Sequence, residues 1–184
     1  MPKIVDHNLY RIELLSKSLP IFVSKGVASV SMRELSKELG VSTGTLYHYF
    51  PTKEALFTSM VKHLVSSDAE AIHKLSEESS SIFDIMNFVA GKEGHFLNLM
   101  LLAVDVKRQL SESKELIQLV DESFSAYELA LNRFFPKEAE GKAGKAFLSF
   151  FVGVLFLKSK GEDQTSWVDL FEGLKSVSNL FSSM

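Results

Sequence analysis

The segment between Ser31 and Pro51 has room for only two very short helices, and this limits what the N-terminal part of the chain can fold into. Ser31, with Glu34 three residues later, forms a capping box, and the helix that it starts stops at Gly40. Ser42 caps the next helix, which ends before Pro51 because proline disfavours helical geometry in the residue before it. Two short helices joined by a glycine-containing turn, with a third helix before them, predict a helix-turn-helix unit.

The rest of the chain also has helical periodicity. Apolar residues recur at three- and four-residue steps before Gly26, and Pro20 inside this stripe predicts a kink or a restart near Leu19. Thr52 caps a further helix, and the polar run SEESSS at 76–81 follows it as a boundary. Beyond this boundary the periodicity predicts helices at about 82–90, 94–110, 113–135, 139–159 and 165–182.

No alternating strand pattern is present in the sequence, so we expect an all-α fold. The expected organisation has three parts. Residues 1–52 form the helix-turn-helix domain, residues 53–81 form a connecting helix, and residues 82–184 form a larger helical domain.

The second short helix carries an unusual set of side chains for so short a segment. Val41, Leu46 and Phe50 lie on the side that packs against the preceding helices. The other side is left with short hydroxyls, a glycine, a phenol and an imidazole, from Thr43, Gly44, Thr45, Tyr47 and His48. In a helix-turn-helix unit this helix enters the DNA major groove, where threonine methyls can touch thymine methyls and tyrosine hydroxyls suit phosphate oxygens. Lys53, in the first turn of the next helix, adds a cation beside exposed amides that favour an anion.

Charge is unevenly distributed along the chain. Residues 1–63 hold eight Lys/Arg and five Asp/Glu, a net +3, whereas the remaining residues hold 12 Lys/Arg and 18 Asp/Glu, a net −6. A mildly basic N-terminal part on an acidic body suits contact with a polyanion.

Composition limits where the chain works and which sites it can hold. Cysteine is absent, which excludes disulfides and thiolate metal sites. The N-terminus shows no secretory signal, and the most apolar run, 146–157, is shorter than the roughly 20 residues of a membrane-spanning helix. We therefore expect a cytoplasmic protein with no membrane partner.

The segment SMRELSKELGVSTGTLYHYFPTKEAL, with its lead-in from Gly26, resembles the DNA-binding domain of the TetR-type transcriptional regulators. The resemblance is carried by the hydroxyl cap and arginine at the helix start, by LGVS, by GTLYHYF and by KEAL. It implies a backbone or adjacent-base approach by Ser31 and Arg33, base contacts by Thr43, Gly44 and Thr45, and phosphate contacts by Tyr47, His48 and Lys53. Thr43 stands where many members carry a longer Lys, Arg or Gln, which would make readout of DNA shape more important.

The resemblance also implies a small-molecule pocket between the helices of the C-terminal body, whose occupant changes the spacing of two DNA-reading heads. The expected effector is apolar or aromatic, with Asp105 as a polar anchor that would also tolerate a cation. The residues that we expect to line the pocket are Phe96, Met100, Val104, Asp105, Phe124, Tyr127 and Phe150. Ordinary core packing is the alternative for each of them, because aromatic side chains at helical spacing also fill cores.

The helix expected at 139–159 is apolar nearly all round, with Phe147, Phe151, Val154 and Leu155 on one side and Leu148, Val152 and Phe156 on another. A helix that is apolar on two sides must be covered on both, by its own domain and by a second copy of the chain. We place the dimer interface on the first side, together with the helix at 165–182, through Phe147, Phe151, Val154, Leu155, Phe171 and Leu174. A two-fold dimer would set two heads on a palindromic site, and the resemblance implies the same pairing.

Together these features predict a homodimeric, sequence-specific transcriptional regulator, a repressor that an effector releases from its double-stranded DNA operator. The alternative is a helical ligand-binding or scaffolding protein that has lost DNA binding, which the modest charge of the head and the short Thr43 leave open.

An enzyme is not expected, because glycine-rich phosphate loops, H-E-x-x-H and G-x-S-x-G are absent from the sequence. No cofactor or metal is expected either, since Glu70 and His73 lack the further ligands that a di-iron site requires.

Overall fold

The computed structural model describes residues 6–78, 81–135, 141–159 and 166–182. Within these ranges the chain forms nine helices and no strand, which confirms the expected all-α fold. The helices are α1 (His7–Lys25), α2 (Met32–Glu38), α3 (Thr43–Tyr49), α4 (Lys53–Glu78), α5 (Ile82–Gly91), α6 (Glu93–Gln109), α7 (Lys114–Asn132), α8 (Ala143–Lys158) and α9 (Trp167–Ser182). In this part of the chain none of the helices is both long enough and apolar enough to cross a membrane.

Helix α1 is continuous through Pro20. The expected restart near Leu19 is therefore wrong. Pro20 leaves the carbonyl of Ser16 without its helical donor, but both residues are exposed, so water can satisfy this carbonyl. On the inner side Leu19 and Phe22 are buried, and the burial of this apolar face offsets the local cost of the proline.

The chain packs into two compact units. Unit 1 comprises the chain up to Glu70 together with Asn98–Tyr127. Unit 2 comprises Ala71–Leu97 and the chain from Glu128 onward, as far as it is described. Helices α4, α6 and α7 therefore each contribute one part to each unit.

These units do not follow the boundaries expected from the sequence. The segment 98–127 packs with the N-terminal part of the chain, although it lies inside the stretch 82–184 that was expected to form one domain. Apolar periodicity shows which side of a helix is buried but not which helix covers it. The functional roles assigned to the three expected parts stay predictions.

Unit 1 has one apolar core, and the helix-turn-helix is anchored in it. Leu46 and Phe50 on the inner side of α3 are at most 1% exposed. Phe22 of α1 meets Phe57 of α4 edge to face, with 5.2 Å between ring centroids. The same core includes residues of α6 and α7, namely Leu102, Val106, Leu116, Leu119 and Val120. Because such a core is densely packed, it holds the outer side of α3 in one orientation.

Aromatic rings dominate the packing of unit 2. Phe147 and Phe151 of α8 meet edge to face at 4.6 Å. From α9, Phe171 packs against Phe147 at 5.9 Å and Trp167 against Phe151 at 5.4 Å. The indole of Trp167 donates a hydrogen bond to the Glu93 carboxylate at 2.9 Å. Helices α8 and α9 are therefore joined to each other within a single chain.

The start of α8 is capped by a side chain of α7. Asn132 Oδ1 accepts hydrogen bonds from the amides of Gly144 at 2.9 Å and Gly141 at 3.2 Å. A Cβ atom at position 144 would lie 2.6 Å from the carbonyl oxygen of Glu128. Only glycine lets α8 approach α7 this closely.

Candidate DNA-binding surface

Local hydrogen bonds build the segment from α2 to α3 as the sequence predicts. Ser31 Oγ accepts from the Glu34 amide at 3.3 Å, and the Glu34 carboxylate accepts from the Ser31 amide at 2.9 Å. The hydrogen bonds of the Ser31 side chain and backbone hold the pKa of Glu34 below its usual value. Gly40 has a φ of 70°, which glycine adopts without strain, and Ser42 Oγ caps α3 by accepting from the Thr45 amide at 2.9 Å. The capping box and both helix boundaries are thereby confirmed.

The two sides of α3 differ as expected. On the inner side Leu46 and Phe50 are buried and Val41 is half-buried. On the outer side the side chain of Tyr47 is 50% exposed, and His48 and Gly44 are exposed as well. The outer side can therefore reach a ligand while the inner side stays anchored in the core.

Both threonine hydroxyls of α3 are engaged within the chain. Ser36 Oγ donates its proton to the Arg33 carbonyl at 2.8 Å, so in its 3.0 Å hydrogen bond with Thr43 Oγ1 the proton must come from Thr43. Thr45 Oγ1 lies 2.8 Å from Ser42 Oγ. Thr43, which is half-buried, can therefore offer a base edge its methyl group or its oxygen lone pairs, but not a donor hydroxyl.

Three predicted contact residues flank α3. Ser31 is exposed, but its hydroxyl is already bonded to Glu34, and Arg33 is exposed on α2. The Lys53 ammonium at the start of α4 donates to the Ala28 carbonyl at 2.9 Å, in the turn between α1 and α2. Because an ammonium carries three donors, two remain for a phosphate.

The same turn is also held from α6. One carboxylate oxygen of Asp105 accepts from the Val27 amide at 3.1 Å, and the other accepts from the Gln109 side chain. Asp105 was expected as the polar anchor of an effector pocket. Both of its oxygens accept a hydrogen bond inside unit 1, and its role as an anchor stays a prediction. Its partner Val27 is 78 positions away in the sequence, so no local pattern could reveal the bond.

Sequence analysis missed a group of rings at the end of α3. His7 Nδ1, in the first turn of α1, lies 2.7 Å from the Tyr49 hydroxyl, and the His7 and His48 ring centroids are 6.4 Å apart. Tyr10 packs against Tyr49 at 5.5 Å. Tyr49 was visible in the sequence as part of the run Tyr47–Tyr49. Its partner His7 lies 42 residues earlier, and no local pattern around His7 indicates this contact.

Residues 14–60, which contain α2, the turn, α3 and Lys53, match the family model described as bacterial regulatory proteins, tetR family. In this segment the chain is similar to the TetR family.

Curated transcriptional regulators are similar to the N-terminal segment. The chain is 42% identical to the HTH-type transcriptional regulator YuxN of Bacillus subtilis over 50 residues. These aligned residues make up 27% of this chain and 17% of the relative. The chain is 34% identical to the HTH-type transcriptional regulator PksA of the same organism over 62 residues, which make up 34% of this chain and 30% of the relative. The chain thus spans less than a third of the length of these two relatives.

Solved structures share the fold over most of the chain. The reduced form of NemR from Escherichia coli aligns with a TM-score of 0.69 at 18% identity, over 92% of this chain and 96% of that one. FadR from Bacillus subtilis, in complex with stearoyl-CoA, aligns with a TM-score of 0.63 at 19% identity, over 88% and 94%. At this identity the likeness concerns the fold alone.

The residues that we expected to line a pocket are divided between the two compact units. Phe96 and Phe150 belong to unit 2, whereas Met100, Val104, Asp105, Phe124 and Tyr127 belong to unit 1. The Tyr127 hydroxyl donates to the buried carboxylate of Asp68 at 2.9 Å, and burial, reinforced by this carboxylate, raises the pKa of Tyr127. Sequence analysis did not identify Asp68 as a polar residue of the core. The pocket itself stays a prediction.

The side of α8 that we expected at a dimer interface is buried inside the single chain. Phe147, Phe151, Val154 and Leu155 are between 4% and 6% exposed, and Phe171 is half-buried against Phe147. The assignment of these four α8 residues to a dimer surface is therefore corrected, because α9 and other parts of unit 2 already cover this side. Among the residues of α8 and α9 whose side chains are described, Phe156, Leu157 and Leu174 are large, apolar and exposed.

Proposed function

We propose that this chain is a DNA-binding transcriptional regulator that acts as a homodimer on a palindromic operator and represses until a small molecule releases it. One observation carries the proposal. The outer side of α3 is exposed through Tyr47 and His48, while Leu46 on its inner side is completely buried. A short helix fixed in this way can enter the major groove without losing conformational freedom on binding.

The dimer forms through exposed apolar side chains of α8 and α9. Phe156 is 59% exposed, Leu157 is 47% exposed, and Leu174 of α9 is 48% exposed. Large apolar side chains grouped on two helices are typical of an interface that a partner covers. A symmetric dimer through these residues presents two copies of α3 to the two halves of a palindrome.

The effector is an apolar or aromatic small molecule that binds in the C-terminal helices, where aromatic side chains are abundant. To release DNA, it must bind more tightly to the state whose two heads misfit the operator. The coupling free energy between the two sites is typically about 1–3 kcal/mol.

The test is a selection of bound duplexes from a pool of random sequence, followed by fluorescence-anisotropy titration of the enriched duplex. We expect a palindrome to be enriched and to bind with an affinity that falls as salt is raised, because phosphate contacts release counterions. Enrichment of no sequence, with only weak and salt-sensitive binding, would favour a helical ligand-binding or scaffolding protein instead.

A further inference from the structure

Three polar rings from two helices form one cluster at the end of α3. We call His7, His48 and Tyr49 the ring cluster. The Nδ1 atom of His7 lies 2.7 Å from the Tyr49 hydroxyl. The ring centroids are 6.4 Å apart for His7 and His48, and 5.2 Å apart for His48 and Tyr49. Both histidines are exposed, and all three residues belong to unit 1.

Whichever of His7 and Tyr49 donates the hydrogen bond between them, one N–H or O–H donor of the pair remains unused. A neutral imidazole has one N–H group and a phenol has one O–H group. One of these protons makes the bond and the other stays available. Protonation of His7 adds a second available donor and a positive charge, and His48 contributes its own N–H group.

The charged and titratable groups around the cluster leave it suited to an anion. The carboxylate of Asp6, which precedes His7, accepts hydrogen bonds from the amides of Asn8 at 2.9 Å and Leu9 at 3.2 Å, as the cap of α1. Tyr10 packs against the Tyr49 ring. The Arg11 guanidinium lies over the Phe50 ring at 4.9 Å and donates to Ser59 at 3.1 Å. Asp6, the carboxylate next to His7 in the sequence, is thus already bonded to backbone amides.

We propose that the ring cluster binds a phosphate of the operator backbone, so that the first turn of α1 forms a DNA contact outside α3, and that protonation of its histidines strengthens this contact. The inference rests on the proposed function. Phosphate oxygens accept hydrogen bonds from histidine and tyrosine donors, and such contacts position a protein without reading sequence. Protonation of either histidine adds a positive charge to the cluster, so the contact should strengthen as pH falls.

The experiment measures the affinity of the full chain for its selected duplex by fluorescence anisotropy, at pH 6 and pH 8 and over a series of salt concentrations. We expect the wild type to bind more tightly at pH 6. His7→Gln should weaken binding at pH 6 by about tenfold, with a smaller effect at pH 8, and should lower the salt slope at pH 6 by about one unit. Tyr49→Phe should also weaken binding at both pH values, because it removes the hydroxyl that pairs with His7.

Two further variants separate this contact from a general effect on the protein. His7→Lys keeps a positive charge at both pH values and should bind at pH 8 nearly as tightly as at pH 6. His73→Gln, at an exposed histidine of α4 outside the cluster, should leave both affinities unchanged.

Wild-type binding to the selected duplex, with the same affinities and salt slopes for His7→Gln and Tyr49→Phe, would overturn the inference and leave the proposed function standing. Failure of the wild type to bind any duplex at either pH would overturn the proposed function and this inference together.

Discussion

At the scale of single residues, hydrogen bonds within the chain decide what the predicted DNA contacts still have to offer. Thr43 gives its hydroxyl proton to Ser36, and Ser31 is bonded to Glu34 in the capping box. Lys53 donates to the Ala28 carbonyl but keeps two free donors. Each of these side chains is therefore placed by hydrogen bonds within the chain before DNA binds, and the DNA contacts themselves stay predictions.

Lys53 gives the sharpest residue-scale test. We expect Lys53→Ala to weaken binding to all duplexes and to lower the salt slope by about one unit, because one phosphate contact is lost. Lys62→Ala, at an exposed lysine of the same helix, is the matched control and should have a smaller effect. Both measurements are anisotropy titrations over a range of salt. Unchanged affinity together with a lower melting temperature would show that Lys53 only ties α4 to the turn at Ala28.

At the scale of elements, contacts between helices that are distant in sequence fix the positions of the turn before α2 and of the start of α8. Asp105 of α6 binds the amide of Val27, and Asn132 of α7 caps α8 through Gly144. Neither contact follows from the helical pattern of either partner. Both can be tested by substitutions with matched controls.

Removing the Asp105 carboxylate should destabilise the protein and disturb the turn before α2. In Asp105→Ala the half-buried contact to the Val27 amide loses its acceptor, which should cost about 1–3 kcal/mol of unfolding free energy. Asp121→Ala breaks the exposed ion pair with Lys107, and should change stability by no more than about 1 kcal/mol. Urea unfolding followed by circular dichroism gives both values. Equal stability of the two variants would show that the Asp105 contact contributes nothing.

Two glycines of α8 should respond in opposite ways to alanine. Gly144→Ala places a Cβ atom 2.6 Å from the Glu128 carbonyl oxygen, and this overpacking should cost about 1–3 kcal/mol. Gly153 is exposed in the single chain, and a Cβ atom added there would meet no heavy atom of that chain within 4 Å, so Gly153→Ala should stabilise the helix of the unassociated chain by up to about 1 kcal/mol. Chemical unfolding of both variants measures the difference. A neutral Gly144→Ala would mean that α8 can move away from α7 without loss.

At the scale of the whole molecule, the proposed dimer has to bring two copies of α3 to one operator. The dimer that we propose uses the exposed side of α8, and Phe156 is its most exposed apolar side chain on that helix. Burying a carboxylate without a partner is strongly unfavourable, so a charge at this position should prevent association.

We therefore expect Phe156→Glu to be a monomer and to lose affinity for a palindrome, with the dissociation constant of the dimer raised on the order of 100-fold or more. Leu129→Glu, at an equally exposed apolar side chain of α7, is the matched control and should remain dimeric. Sedimentation equilibrium gives the mass of each variant, and anisotropy gives its affinity for the palindrome. A dimeric Phe156→Glu, or a monomeric wild type, would contradict this interface.

Features that depend on a few neighbouring residues could be predicted from the sequence. The capping box of Ser31 and Glu34, the turn at Gly40 and the limit set by Pro51 predict the bounds of α2 and α3, and the helical spacing of apolar residues predicts the inner and outer sides of α3. These features could be predicted because caps, turns and proline geometry act within one helical turn. The all-α class followed from the same local periodicity.

Which helix surfaces pack against each other follows only from the three-dimensional structure. It placed residues 98–127 in unit 1, bound Asp105 to the turn at Val27, brought His7 to Tyr49 and buried one of the two apolar sides of α8. Either side of α8 could have been covered by its own chain, since both are apolar to a similar degree. The choice between them is the sum of many weak contacts between segments far apart in sequence, and no local pattern contains that sum.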